Sequence, residues 1–120
     1  MTEYQNSKQY DLEDRTFRFA LRVRKFLKLL PKTMSNVEDG KQLLNSSGSV
    51  GANYIEANEA LSKKDFVLRI KICRKEAKES QYWIKLLDIS GRDQEQECKE
   101  LIQEASELVN IFGSIIRKCE

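Results

Sequence analysis

The stretch SSGSVGANYIEANEA, residues 46–60, holds two glycines three positions apart, Gly48 and Gly51, among other small side chains. Such a stretch either wraps a phosphate group as a loop or forms a helix that a neighbouring element can approach closely. A P-loop places a lysine directly after its last glycine, whereas Ala52 follows Gly51. A dinucleotide-binding motif follows a strand, and the preceding residues, EDGKQLLNSS, are not typical of one. We therefore interpret the stretch as the small-residue face of a helix, with a kink or loop at Gly48 as the alternative.

The hydrophobic spacing on either side of this stretch predicts four amphipathic helices. The first runs from about Asp11, its expected N-cap, to Leu30, because Pro31 forces the residue before it out of helical geometry. The second begins at Ser35, which has a glutamate three residues later as in a capping box, and reaches about Leu61.

The third helix is expected to open at Ser62, and a connector, DISGRDQ, separates it from the fourth. Gly91 in this connector is the expected C-cap of the third helix. Steps of three and four residues place apolar and small side chains on one face of each helix. These predicted core positions are Leu12, Phe19, Val23, Phe26 and Leu30; Val37, Leu44, Ser47, Gly51, Tyr54 and Leu61; Phe66, Ile70, Cys73, Ala77, Ser80, Ile84 and Leu87; and Cys98, Leu101, Ala105, Leu108, Phe112, Ile115 and Cys119.

Four helices of similar length with short links predict an all-α fold, an antiparallel up-down-up-down four-helix bundle over residues 11–120. Residues 1–10 are expected to be a flexible N-terminal segment. The second and third helices are expected to pack backbone to backbone through small residues, namely Ser47, Gly48, Gly51 and Ala52 against Ala77 and Ser80.

Composition argues for a cytoplasmic protein without a membrane anchor. No apolar run approaches the roughly 20 residues that span a bilayer, and the polar N-terminus does not read as a secretory signal. The three cysteines fit no zinc-binding spacing, and we expect them to be reduced and buried.

The chain lacks the one residue type that active sites and transition-metal sites use most often. It has no histidine, so the commonest general base and the usual ligand of zinc and iron are missing. Glu56 and Glu59 have helical spacing but no imidazole partner, and we expect them to pair with Arg69 or Arg74. We predict no catalytic residue, no metal and no cofactor.

The basic residues carry more information, because positive and negative segments alternate along the chain. Residues 15–32 hold seven basic residues and no acidic one, and residues 62–88 hold eight basic and four acidic. Residues 35–61 and 92–120 are net negative. Stripes of this kind can follow a phosphate backbone, and the candidate contacts are Arg15, Arg18, Arg22, Lys25, Lys71, Lys75 and Lys78. The alternatives are a solvated face, or basic helices of one subunit meeting acidic helices of another.

Apolar side chains outside the predicted core positions favour association with a partner. They are Phe17, Leu21, Leu29, Leu68, Ile72 and Trp83, with Tyr82 and Trp83 as the expected anchors. A helix with a wide buried face within one subunit is the competing interpretation.

Three blocks of the sequence resemble one protein family. SSGSVGANYIEANEALSKKDF (46–66), RIKICRKEAKES (69–80) and YDLEDRTFRFALRVRKFLKLLPKT (10–33) are similar to the four-helix-bundle proteins encoded by intervening sequences in bacterial 23S ribosomal RNA genes, also labelled S23 ribosomal proteins. The likeness extends over about residues 10–118.

The resemblance implies an antiparallel bundle that assembles into a homopentameric ring and has no catalytic activity. It also implies kinship with the accessory protein of a reverse transcriptase in diversity-generating retroelements, whose positive surface contacts nucleic acid and the polymerase. The positions that it marks for packing and register are Gly48, Gly51, Asn53, Tyr54, Glu56, Arg74 and Glu76.

Our sequence-based hypothesis is a non-catalytic homo-oligomer that binds RNA or DNA through basic helix faces with little sequence preference. The alternative is an adaptor that docks an acidic protein or a polymerase such as a reverse transcriptase.

Overall fold

A computed structural model describes residues 3–120 of the chain, with side chains from Leu12 onward. The four helices are α1 (Glu3–Leu29), α2 (Met34–Asn58), α3 (Lys63–Leu86) and α4 (Arg92–Lys118). Each helix packs on the one before it and α4 closes back onto α1, so α1 lies diagonally opposite α3. Neighbours run antiparallel: Asn36 of α2 bonds to Asp88 beyond the end of α3, while Asn53 near the end of α2 bonds to Arg69 near the start of α3. The predicted all-α up-down-up-down bundle is confirmed.

Three of the four predicted core faces are also confirmed. All five core positions of α1 are buried, and in α3 every predicted position except the half-buried Phe66 is buried. In α4 the buried face follows the prediction from Cys98 to Phe112, and Ile116 then takes the place of Ile115.

The predicted core face of α2 is wrong at several positions. Val37 is exposed and Leu61 lies beyond the helix in full solvent, whereas Leu43, Val50 and Ala57 are buried. Glycine and serine supply much of this helix, so apolar spacing gives only a weak guide to its buried side.

Several helix ends differ from those predicted. α1 begins at Glu3, so Asp11 lies inside the helix rather than at its cap. Thr33, not Ser35, caps α2 by accepting a 3.1 Å hydrogen bond from the Asn36 backbone N–H. Gly91 is not the C-cap of α3: it stands at the N-cap position of α4 with φ of +88°, a conformation that favours glycine.

The N-cap of α3 agrees with the sequence. Ser62 Oγ accepts a 3.1 Å hydrogen bond from the backbone N–H of Asp65. Met1 and Thr2 of the expected flexible segment 1–10 lie outside the described residues, and the flexibility of that segment stays a prediction.

The stretch around Gly48 and Gly51 forms a helix and not a phosphate-binding loop, because α2 is continuous through both glycines. These glycines face α1, whereas the sequence predicted that they face α3. A Cβ at Gly51 would stand 3.0 Å from Thr16 Oγ1, whereas a Cβ at Gly48 would meet only the end of the Arg24 side chain at 3.6 Å.

The side of α2 that faces α3 is lined by serine instead. Ser80 Oγ lies 2.9 Å from Ser46 Oγ, and both hydroxyl groups are buried. Small residues therefore allow close packing on two sides of α2, glycine toward α1 and serine toward α3.

A buried asparagine ties the two connections at one end of the bundle. Asn36 Nδ2 donates to the carbonyl oxygens of Pro31 and Asp88, each at 2.9 Å. Asn36 Oδ1 accepts from the Asp88 backbone N–H at 2.8 Å. These three bonds hold the α1–α2 turn against the α3–α4 connector, and they satisfy polar groups that would be costly to bury unpaired.

We expect Gly48→Ala and Gly51→Ala to change stability in opposite directions. Alanine at Gly48 has room and raises the free energy of unfolding by about 1 kcal/mol through helix propensity. At Gly51 the same gain is outweighed, because buried Thr16 must shift and its Oγ1 is held 3.0 Å from the Leu12 carbonyl; we expect a net loss of about 1–2 kcal/mol. Urea unfolding of the two matched variants measures this, and equal stabilisation by both would contradict the close approach.

Candidate nucleic-acid interface

The arginines of α1 divide according to the side of the helix on which they lie. Arg15 and Arg22 are seven residues apart, two helical turns, so they share the side that faces α4. Arg15 Nε and Nη2 donate to the two carboxylate oxygens of Glu104 at 2.8 and 2.9 Å, and Nη2 also donates to Glu107 at 2.8 Å. Arg22 Nη2 donates to Glu97 at 2.9 Å.

These contacts stabilise the charged forms of the paired side chains on both helices. Hydrogen bonding to Glu104 raises the pKa of Arg15 above its ordinary value, and bonding to Glu97 does the same for Arg22. Hydrogen bonds from Gln103 and then Arg15 lower the pKa of Glu107. Arg15 and Arg22 are therefore committed to the α1–α4 seam, and phosphate binding by either would require its ion pairs to break.

Arg18 and Lys25 lie elsewhere on α1, and both are exposed. Arg18 forms a 2.9 Å ion pair with Asp14 one turn earlier, an exposed contact that contributes little to stability. The predicted α1 stripe is thus split between a packed side and a solvent side.

The basic residues of α3 have a different environment. Five lysines lie on its solvent side, and we call them the α3 lysine row: Lys64, Lys71, Lys75, Lys78 and Lys85. In the described part of the chain, none of the five has a carboxylate oxygen within 4.0 Å of its ammonium nitrogen. At 1.5 Å per residue the row extends for about 32 Å. It presents a line of positive charge without direct ion pairs, although the Lys75 charge acts on the neighbouring Glu76 carboxylate.

Two large side chains interrupt this row, and both are exposed: Leu68 and Tyr82. The Tyr82 ring contacts Trp83 edge to face, with ring centroids 5.1 Å apart. Trp83 itself is half-buried against the core, so of the two expected anchors only Tyr82 stands mainly in solvent.

The structure does not bring the two predicted basic stripes together. α1 and α3 occupy diagonal corners of the bundle, so Lys71, Lys75 and Lys78 point away from Arg18 and Lys25. A single nucleic-acid strand lying along α3 would leave the α1 stripe of the same subunit unused.

Most residues that the resemblance marks for packing and register lie between helices. Asn53 Oδ1 accepts from Arg69 at 3.2 Å, linking α2 to α3. Tyr54 is buried against the Phe112 ring of α4. Burial and then the neighbouring Glu79 raise the pKa of Glu76.

The remaining two marked residues face outward or partly outward. Glu56 is exposed and Arg74 is half-buried. The predicted ion pairs of Glu56 and Glu59 with Arg69 or Arg74 are wrong, because none is among the ion pairs of residues 12–120.

Two of the three cysteines, Cys73 and Cys98, are buried as predicted, whereas Cys119 is not. Cys73 is fully buried, and burial raises the pKa of its thiol to about 12. Burial also raises the pKa of Cys98, and Cys119 is half-buried. Within the described residues, no three histidine, cysteine or acidic side chains are grouped so that they could hold a metal ion. Among the same residues, no helix combines the length and the apolar character needed to cross a membrane.

Sequence reasoning missed the acidic partners of α1. Glu97, Glu100, Glu104 and Glu107 step by three, four and three residues, so they form one row along α4. That spacing matches the arginine spacing of α1, and it was available in the sequence as a sign that the two helices meet.

We expect Arg15→Gln to lower the free energy of unfolding by about 1–2 kcal/mol, because it leaves the largely buried Glu104 carboxylate without its partner. The matched control Arg18→Gln removes an exposed pair and should change stability by less than about 0.5 kcal/mol. Urea unfolding at neutral pH measures both. Adding Glu104→Gln to Arg15→Gln should recover part of the loss, and equal effects of the Arg15 and Arg18 changes would contradict a structural role for the seam.

Comparisons with known proteins identify the family and support the four-helix fold. The sequence profile of the family described as 23S rRNA-intervening sequence protein matches residues 8–114. A crystal structure of a protein of unknown function from the S23 ribosomal protein family of Bacteroides thetaiotaomicron superimposes with a TM-score of 0.79 at 32% sequence identity. The match covers 92% of this chain and 98% of that one. No curated protein matches the chain. The protein therefore belongs to the 23S rRNA-intervening sequence protein family.

Proposed function

We propose that this protein is a non-catalytic, homo-oligomeric helical bundle that binds RNA or DNA through the α3 lysine row. One observation carries the proposal: five exposed lysines share one side of α3 without carboxylate partners, while Arg15 and Arg22 are neutralised by α4. Lysine ammonium groups at regular spacing bind phosphates and release the counterions condensed on them.

Little sequence preference is expected at such a surface. Lysines along one straight helix reach phosphate oxygens, which are the same at every base. Lys71, Lys75 and Lys78 lie at the centre of the row, and we assign them the main phosphate contacts. Arg18 and Lys25 on the opposite corner would contact nucleic acid only by a second, separate path.

Self-association is the second part of the proposal. Phe17 and Leu21 are 61% and 40% exposed on the solvent side of α1, one turn apart, which is the spacing of a helix-packing contact. A second copy of the chain is the occupant that we propose for this side, as the resemblance to pentameric proteins implies. The free cysteines are consistent with a cytoplasmic location for the assembly.

We expect changing Lys71, Lys75 and Lys78 together to glutamine to weaken binding to a random-sequence nucleic acid. Raising salt from about 50 to 200 mM should weaken the unchanged protein steeply, and each lost lysine should reduce the slope of log affinity against log salt by about one. Fluorescence anisotropy at several salt concentrations measures both quantities.

The matched control changes Lys41 and Lys99, which are exposed but pair with Glu38 at 3.6 Å and Glu95 at 3.7 Å. It should leave affinity within about twofold, since Lys41 on α2 and Lys99 on α4 lie outside the α3 lysine row. An affinity that does not depend on salt, or that falls equally in the row variant and the control variant, would refute phosphate binding by the α3 lysine row. A protein partner that remains bound after nuclease treatment would instead favour the adaptor function, with a polymerase among the candidates.

Light scattering of the nuclease-treated protein should report several subunits, five if the resemblance holds in full. Changing Phe17 and Leu21 to glutamine should shift the mass toward the monomer, because the change removes the apolar contact. Changing Met34 and Val37, which are also exposed, provides the control. A monomeric protein at every concentration, or equal effects of the two pairs, would contradict association through α1.

A further inference from the structure

We propose that the α3 lysine row takes single-stranded rather than duplex nucleic acid, because the exposed Tyr82 ring offers a stacking surface for an unpaired base. This inference rests on the proposed function and names the class of nucleic acid that the same surface selects.

Tyr82 belongs to the row by position. It follows Lys78 by four residues and precedes Lys85 by three, so all three side chains leave α3 on the same side. The ring is 58% exposed, whereas the neighbouring Trp83 packs against the core.

The contact with Trp83 limits the orientations of this ring. The two rings meet at an interplanar angle of 74° with centroids 5.1 Å apart, an edge-to-face geometry that is favourable in itself. Tyr82 therefore has a supported position and still keeps most of its surface in solvent. Little entropy would be lost when a base is laid on a ring that is already held.

A ring between two cations fits the chemistry of a single strand. Lys78 and Lys85 lie about 6 and 4.5 Å from Tyr82 along the helix axis, so they can hold phosphates on either side of the stacked base. Proteins that bind single strands without sequence preference combine such basic tracks with aromatic rings, since every base has a π face. In a duplex the bases are stacked on each other, so their faces are not open to a ring that approaches from outside.

Three probes separate the contributions of bases and phosphates: an oligothymidylate of about 20 nucleotides, the same strand in a duplex, and inorganic polyphosphate. Tyr82→Leu should lower affinity for the single strand by about 5- to 150-fold, the range for losing one stacked base, and leave the other two within about twofold. Tyr82→Phe keeps the ring and should retain the affinity of the unchanged protein.

A second readout needs no variant. Trp83 is the only tryptophan of the chain, and its contact with Tyr82 makes its fluorescence sensitive to a base on that ring. The single strand should change this fluorescence, and polyphosphate at equal occupancy should not.

The outcomes distinguish this inference from the proposed function beneath it. If Lys75→Gln weakens all three probes while Tyr82→Leu weakens none, or weakens all three equally, the stacking surface is refuted and the phosphate-binding row stands. If the lysine change affects no probe, or no probe binds, both proposals fail. Selective loss of the single strand in Tyr82→Leu, with recovery in Tyr82→Phe, supports the inference.

Discussion

The arrangement of charge in this bundle depends on the ion pairs that close α4 onto α1. In the described part of the chain this is the seam with the sparsest backbone contact, and Arg15 and Arg22 bridge it with hydrogen bonds of 2.8 to 2.9 Å to α4 carboxylates. Because helix charge alternates along the chain and the helices form a ring in chain order, every helix has neighbours of opposite net charge. The alternation of helix charge could have joined separate subunits, but here it brings basic and acidic helices together within one subunit.

This closure gives basic residues of similar spacing two different environments. The guanidinium group is planar and suits paired contacts with a carboxylate, and arginine occupies the α1–α4 seam. The ammonium group is strongly hydrated, and lysine occupies the solvent side of α3. A count of positive charge along the sequence does not separate these environments. The ion-pair partners on neighbouring helices separate the two environments. They leave more unpaired positive charge on α3 than on α1.

The fold was predictable from sequence where the helices are apolar on one side only. The spacing of α1, α3 and the first five turns of α4 placed Phe19, Ile70 and Leu101 in the core correctly. The spacing failed in α2, because glycine and serine occur on both buried and exposed sides of helices. Contact with Thr16 of α1 determines the orientation of Gly51, and the hydrogen bond with Ser80 of α3 determines that of Ser46. The prediction of the start of α2 failed for a similar reason. Thr33 and Ser35 are both favourable N-cap residues, and only the path of the folded chain decides between them.

The candidate surfaces also follow from the ring order of the helices. α1 and α3 stand on diagonal corners, so the side with Phe17 and Leu21 and the side with the lysine row face away from each other. A copy of the chain docked on α1 would leave the α3 lysine row of the same subunit open. In a closed ring of such subunits the rows would recur at regular intervals, and several weak phosphate contacts would act together on one long strand. Oligomerisation would then raise affinity for nucleic acid without any further change in the binding residues.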